Sequence, residues 1–135
     1  GQMVIKGILH PDDARTARAQ GMDGVIVSNH GGRQLDGSMS PLQALPAVVD
    51  AAGGMDVMLD SGVRRGSDVL KAMALGARCV FVGRPFNYAA AVAGQRGVAH
   101  AIGLIVEEVR RNMGLLGVVD VKAVSADCIV RLPAA

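Results

Sequence analysis

Gly24-Val25-Ile26-Val27-Ser28-Asn29-His30-Gly31-Gly32-Arg33-Gln34-Leu35-Asp36-Gly37 changes character at Val27. The first four residues are apolar and largely β-branched, as a buried strand requires, and the residues after Val27 are polar and rich in glycine. Such a break marks a strand ending at a rim, where the backbone must turn tightly. On that rim a histidine, able to exchange a proton near neutral pH, stands three residues before an arginine. The arginine's planar fork can grip a carboxylate through two parallel hydrogen bonds. The pair points to acid/base chemistry on a small anion.

Outward from this stretch the chain repeats a strand-then-helix pattern. Met3 to Ile8 reads as a strand, and Pro11-Asp12-Asp13-Ala14 opens a helix that stops at Gly21. After the strand Val25 to Val27, Ser40-Pro41 starts a helix to about Ala52, with a bend expected at Pro46 and a stop at Gly53-Gly54. Asp56 to Asp60 is a third strand, succeeded by a helix that Ser67-Asp68 opens and Gly76 ends. Cys79 to Val82 is a fourth. Gly83-Arg84-Pro85 leads into a helix through about Ala93 and a longer amphipathic one from about Val98 to Leu116, with a short terminal helix around Ala126 to Val130.

Four such units in a row imply an α/β fold with parallel strands joined by right-handed crossovers, all ending on one edge. Lys6, Ser28, His30, Asp60, Gly83 and Arg84 fall on that edge and interrupt the apolar strands. A closed eight-stranded barrel takes typically about 250 residues, and this chain has 135. Four strands alone leave two unpaired edges, so a complementary half is inferred to be missing.

Composition narrows the function classes. Half the residues are hydrophobic, enough for one core, so residues 1 to 135 are expected to form a single unit. A net charge of +2 and an aromatic content of 2% argue against nucleic-acid binding, which needs a basic face or stacking rings. Cys79 and Cys128 have neither metal-ligand nor disulfide-framework spacing, which fits a reducing cytoplasm. No apolar stretch approaches the roughly 20 residues that span a bilayer. The start at Gly1 rather than Met leads to the expectation of a processed or truncated chain.

Val4-Ile5-Lys6-Gly7-Ile8-Leu9, the segment Ser28 to Asp36, Asp60-Ser61-Gly62-Val63-Arg64-Arg65-Gly66 and Gly83-Arg84-Pro85 together resemble the FMN-dependent L-2-hydroxy acid dehydrogenases and oxidases. That family includes L-lactate dehydrogenase, glycolate oxidase and mandelate dehydrogenase, and the bacterial L-lactate dehydrogenases are the most similar branch. The resemblance implies the C-terminal half, strands 5–8, of a TIM (β/α)8 barrel that binds FMN.

By this resemblance His30 matches the catalytic base and Arg33 the substrate-carboxylate arginine, where a lysine would lack the planar fork. Lys6, costly inside an apolar strand unless an anion meets it, matches the lysine that stabilises negative charge on reduced flavin. Ser28 matches a residue near the flavin ring, and Asp60 one near the ribityl chain. Gly62, Arg64, Gly83 and Arg84 match the phosphate site, and loops after the last two strands of such barrels commonly hold phosphate. Arg65 reads as a surface charge, His10 and His100 as ordinary surface or partly buried residues, and the seven methionines as core filling. No metal site is expected.

The implied function is FMN-dependent oxidation of an L-2-hydroxy acid, L-lactate to pyruvate foremost, with a glycolate- or mandelate-type enzyme as alternative. Electrons would pass to quinone, oxygen or another acceptor. Another alternative is a catalytically silent half-barrel that binds phosphate or assembles with itself. The expected partners are the substrate and either the missing N-terminal half or another copy of the chain, in a homo-oligomer. The expected location is the cytoplasm, with association to the inner face of the cell membrane left open. The base-orienting aspartate and the ring-contacting tyrosines of the family have no match in this chain, so alone it is expected to bind FMN weakly.

Overall fold

The computed structural model describes residues 1 to 130. Four parallel strands, β1 (Val4–Ile8), β2 (Gly24–Val27), β3 (Asp56–Leu59) and β4 (Cys79–Val80), lie side by side in chain order. Between them run α1 (Pro11–Ala19), α2 (Pro41–Ala52) and α3 (Gly66–Ala74), and after β4 comes the long α4 (Arg84–Leu116). Consecutive order with same-handed crossovers places the helices on one face of the sheet.

Burial agrees with that placement. Val25, Val27, Val57 and Leu59 are buried in the main core with Ala14, Ala17, Leu45, Val48 and Ala51 from α1 and α2. The register puts Lys6, Ile26, Met58 and Cys79 in one row, pointing the other way. In that row Ile26 and Met58 are only half-buried, and Lys6 and Cys79 are exposed. One face of the sheet is thus covered and the other open. Among the described residues both outer strands, β1 and β4, lack a second neighbour, and Met3, Val4 and Ile5 lie exposed on the β1 side.

Some local expectations are met and others corrected. β4 pairs over only two residues instead of four, since Phe81 and Val82 lie past its last pairing with β3. α2 runs through Pro46 without a break in its helical assignment, as expected of one helix from Pro41 to Ala52, and buries Ala44, Leu45, Val48 and Ala51. The two helices expected after Pro85 are present: the run α4 from Arg84 to Leu116 is two helices divided by a kink at Ala93 and Gly94, where Gly94 has φ 54° and ψ −139°. That conformation is nearly closed to side chains other than glycine's. By length and composition alone this run is apolar enough to cross a membrane, but the break at Ala93 and Gly94 divides it. Interleaved Arg96 and His100 mask its apolar character along the chain.

The methionines are not core filling. None belongs to the buried core; Met22, Met55 and Met113 pack against it, and Met3 and Met39 are exposed. His10 caps α1 by accepting a hydrogen bond from the Asp12 N–H at its Nδ1 (3.2 Å). The terminal helix is a single 3-10 turn, Ala126–Cys128, beside Val124, which packs with Leu70 and Ala74 in a second small cluster under α4.

Candidate active site

The strand ends converge on one cleft of about 370 Å³. Lys6 comes from β1, His30 and Arg33 from the loop after β2, Asp60, Gly62 and Arg64 from the loop after β3, and Gly83 and Arg84 from the loop after β4. Every site residue expected from the sequence therefore lines this cleft except Ser28. Ser28 lies directly beneath it, 1% exposed, and is the chain's buried polar residue among those described.

Ser28 is buried because its hydroxyl is fully used. It donates to Asp60 Oδ2 (2.7 Å) while its oxygen accepts the His30 backbone N–H (3.0 Å). Ser61, a residue without an expected role, makes the parallel pair of bonds. Its hydroxyl donates to Asp60 Oδ2 (3.2 Å) and accepts the Gly31 N–H (2.9 Å), with the two serine oxygens 3.0 Å apart. Lys6 Nζ approaches the same carboxylate oxygen at 2.9 Å. Three donors thus meet one oxygen of Asp60. Burial by itself would raise this carboxyl, but hydrogen bonds from Ser28, Lys6 and Ser61, with the Lys6 charge, outweigh it and hold Asp60 below its ordinary value of 3.8.

This network carries a strained turn. His30 has φ 54° and Ser61 φ 81°, the described non-glycine residues with left-handed backbone, a state that side chains other than glycine's seldom enter. The His30 ring lies against β1 at Gly7. A Cβ there would stand 2.7 Å from His30 Nε2, and the Gly7 φ of 102° is itself closed to most residues. At Gly7 the pairing of β1 with β2 also shifts register, from Lys6↔Ile26 to Ile8↔Val27. Gly7 is thus a seat for the histidine. A glycine inside a strand was the available sign, since it marks a bulge or a close approach.

Among the described residues the guanidinium groups of Arg33 and Arg64 have no hydrogen-bond or ion-pair partner, although both line the cleft. Arg84 is partly engaged, donating from Nη2 to the Gly31 carbonyl (3.1 Å), which ties the β4 loop to the His30 turn. Gly62 and Gly83 border open space, with nothing within 4 Å of a would-be Cβ, so ligand oxygens can approach their backbone. Four cationic side chains, Lys6, Arg33, Arg64 and Arg84, face one carboxylate in the cleft. The cleft is built for an anion.

Arg65 is a surface charge as expected, and it is also ion-paired. Its Nη2 and Nε bond Glu108 Oε1 on α4 (2.7 and 2.9 Å), and Glu108 Oε2 accepts the Gly66 N–H at the start of α3 (2.7 Å). The Arg65 hydrogen bond, then the Gly66 N–H, lower the Glu108 carboxyl below its ordinary value.

Residues 1 to 131 match the family of FMN-dependent dehydrogenases. The L-lactate dehydrogenase of Alcaligenes faecalis is 52% identical over 134 residues, 98% of this chain and 35% of that protein. The L-lactate dehydrogenase of Acinetobacter baumannii is also 52% identical, over 132 residues. Among solved structures, a mandelate oxidase variant is 52% identical and superposes with a TM-score of 0.86, covering 91% of this chain and 38% of that one. The monotopic membrane protein (S)-mandelate dehydrogenase is 43% identical with a TM-score of 0.90, over 93% of this chain and 34% of that one. This chain therefore spans about a third of the length of the curated relatives it matches. With its parallel sheet, its cationic strand-end cleft and half its residues shared with these enzymes, the chain belongs to the FMN-dependent dehydrogenase family.

Proposed function

We propose that this chain supplies one wall of the active site of an enzyme that oxidises an L-2-hydroxy acid, L-lactate foremost. The observation that carries the reading is the pair of unpartnered guanidinium groups, Arg33 and Arg64, at separate strand ends of a cleft that also holds His30. Two anions, a substrate carboxylate and a cofactor phosphate, account for both.

The donor set suits FMN. Arg64 and Arg84 with the open backbone at Gly62 and Gly83 fit a phosphate, the oxygens meeting backbone amides and charged forks together. Asp60 Oδ1 makes no hydrogen bond among the described residues, which leaves it for a ligand hydroxyl. Lys6, held at the cleft by Asp60, offers positive charge where a reduced flavin gathers negative charge. FMN, when bound, supplies the acceptor for the hydride leaving the substrate α-carbon.

The chain's own residues do the rest. Arg33 clamps the substrate carboxylate through two parallel bonds and so presents the hydroxyl to His30. The His30 imidazole takes the hydroxyl proton as the carbon–oxygen bond becomes a carbonyl, and later releases it to water. The open sheet face and the unpaired edges of β1 and β4 fit four strands of a closed eight-stranded barrel, completed by the part of the relatives that this chain does not cover. A second copy of the chain is the competing complement.

The test joins this chain to the uncovered part of the Alcaligenes faecalis relative and monitors flavin absorbance without oxygen. Tight FMN binding with bleaching by L-lactate is expected, and mandelate or glycolate in its place would redefine the substrate. No flavin binding by the completed protein would overturn the reading. Tight binding and bleaching by the 135-residue chain alone would overturn the shared-site part of it.

A further inference from the structure

We propose that Ser61 is a positioning residue for His30, acting with Ser28 to pass the charge of Asp60 to the backbone of the histidine turn. The inference rests on His30 being the base, and adds a residue of the cleft wall that acts on it through the backbone of its turn.

The geometry is closed on every side. Asp60 Oδ2 accepts from Ser28 at 2.7 Å and lies 3.2 Å from the Ser61 oxygen, which is also 3.0 Å from that of Ser28; whether the Ser61 proton goes to the carboxylate directly or through Ser28, a lone pair of each serine is left for the backbone. Those lone pairs meet two successive amides, His30 N–H from Ser28 and Gly31 N–H from Ser61. An acceptor polarised by a carboxylate binds an amide more strongly than a free hydroxyl does. Successive amides gripped from below are what a left-handed residue at His30 needs, because its backbone conformation is uphill by itself. Gly31 N–H is shared with the Asn29 side chain (3.1 Å), and Arg84 holds the Gly31 carbonyl (3.1 Å). Ser61 ties the turn to the β3 end, as Arg84 ties it to the β4 end, and of the two only Ser61 also bonds the Asp60 carboxylate.

Ser61 also has a left-handed φ of 81°, so two explanations of its place compete. If the residue merely tolerates the turn, glycine would serve as well or better, since it removes the strain. If its hydroxyl positions His30, glycine and alanine both fail. The backbone and the hydroxyl thus make opposite predictions for one substitution.

The experiment compares Ser61→Ala and Ser61→Gly in the completed protein, reading L-lactate turnover, KM, FMN affinity, the kinetic isotope effect of α-deuterated lactate, and hydrogen exchange of the His30 and Gly31 amides. Both variants are expected to lose about 10- to 100-fold in kcat, as for a displaced catalytic group. KM and FMN affinity should stay within about twofold. The isotope effect should rise as the chemical step becomes limiting, and both amides should exchange faster. Wild-type kcat and exchange in Ser61→Gly would overturn the proposal, as would loss of FMN with unchanged amide exchange. Should Ser61→Ala fail to fold, Ser61→Gly, free of backbone strain, decides alone. If the completed wild-type protein oxidises no 2-hydroxy acid, the proposed function falls, while the exchange data still decide whether Ser61 holds the turn.

Discussion

The strand-end rim and helix α4 are finished to different degrees. On the rim, the buried polar groups are matched within the chain: Asp60 collects Ser28, Ser61 and Lys6, and no buried side-chain polar atom among the described residues lacks a partner, while the Arg33 and Arg64 guanidinium groups stay open to the cleft. Along α4 no residue is buried, and Tyr88, Val92, Ile102, Leu104, Val106, Leu115 and Leu116 are exposed. Past its first residue, Arg84, the polar contact of α4 with the rest of the described fold is Glu108 on Arg65 and Gly66. A polar network must be satisfied locally to be tolerable at all, whereas an apolar face can wait for a partner from elsewhere. The chain therefore carries its site geometry but not its whole packing.

The largest effect that could break this contrast is at the histidine. In the completed protein His30→Ala should lower turnover by about 10²- to 10⁴-fold with FMN retained, as loss of a general base does. Unchanged turnover would remove His30 from the chemistry. Next comes its seat. Gly7→Ala forces a Cβ against His30 Nε2 and strains a φ of 102°, costing about 1–3 kcal/mol of stability. It should also lower kcat more than it raises KM; an equal rise in KM would mean that the ring does not rest on Gly7 during turnover.

Ser28→Ala should destabilise the chain by about 1–3 kcal/mol in denaturant unfolding, since a buried amide and a carboxylate each lose a partner. A neutral result would show that water replaces the hydroxyl. The same groups set the acid limit. Asp60 and Glu108 are both lowered in the folded chain. Their stabilisation is therefore complete above the ordinary carboxylate values of 3.8 and 4.5 and is lost as pH falls through the lower folded values. Lys6→Met should move the acid unfolding midpoint upward, and an unmoved midpoint would exclude the Lys6–Asp60 pair as a contributor.

The smallest effect belongs to α4. Leu104→Gln should change the stability of the 135-residue chain by no more than about 0.5 kcal/mol, the range for exposed positions. The same change should weaken assembly with the complementary part if that part covers α4. Equal, small effects in both forms would leave this face bare in the complete protein.

Much of this is legible along the chain because it is local. Strand-to-helix alternation comes from β-branched runs and glycine or proline punctuation, and the polar interruptions at strand ends mark one edge once the strands are parallel. The SNHGGRQLD segment, residues 28 to 36, carries its family resemblance in consecutive residues. The roles of Arg65 and Ser61 are hidden for the same reason in reverse. Their partners, Glu108 at 43 residues' distance and Gly31 at 30, become neighbours only after folding. The division of α4 at Ala93 and Gly94 is legible in the sequence, because the glycine there interrupts the helical pattern.

By itself the sequence determined the parallel α/β order, the edge on which the site lies, the cationic and acid/base residue types, and the family. These depend on periodicity, on residue chemistry and on short consecutive motifs. Only the tertiary structure decided that Asp60 is a hub for Ser28, Ser61 and Lys6, that Gly7 seats His30, that Arg33 and Arg64 remain unpaired among the described residues, and that one sheet face stands open. Each of those depends on which side chains meet across separate strand ends, where hydrogen-bond geometry and close contact act over a few ångströms and sequence distance carries no information.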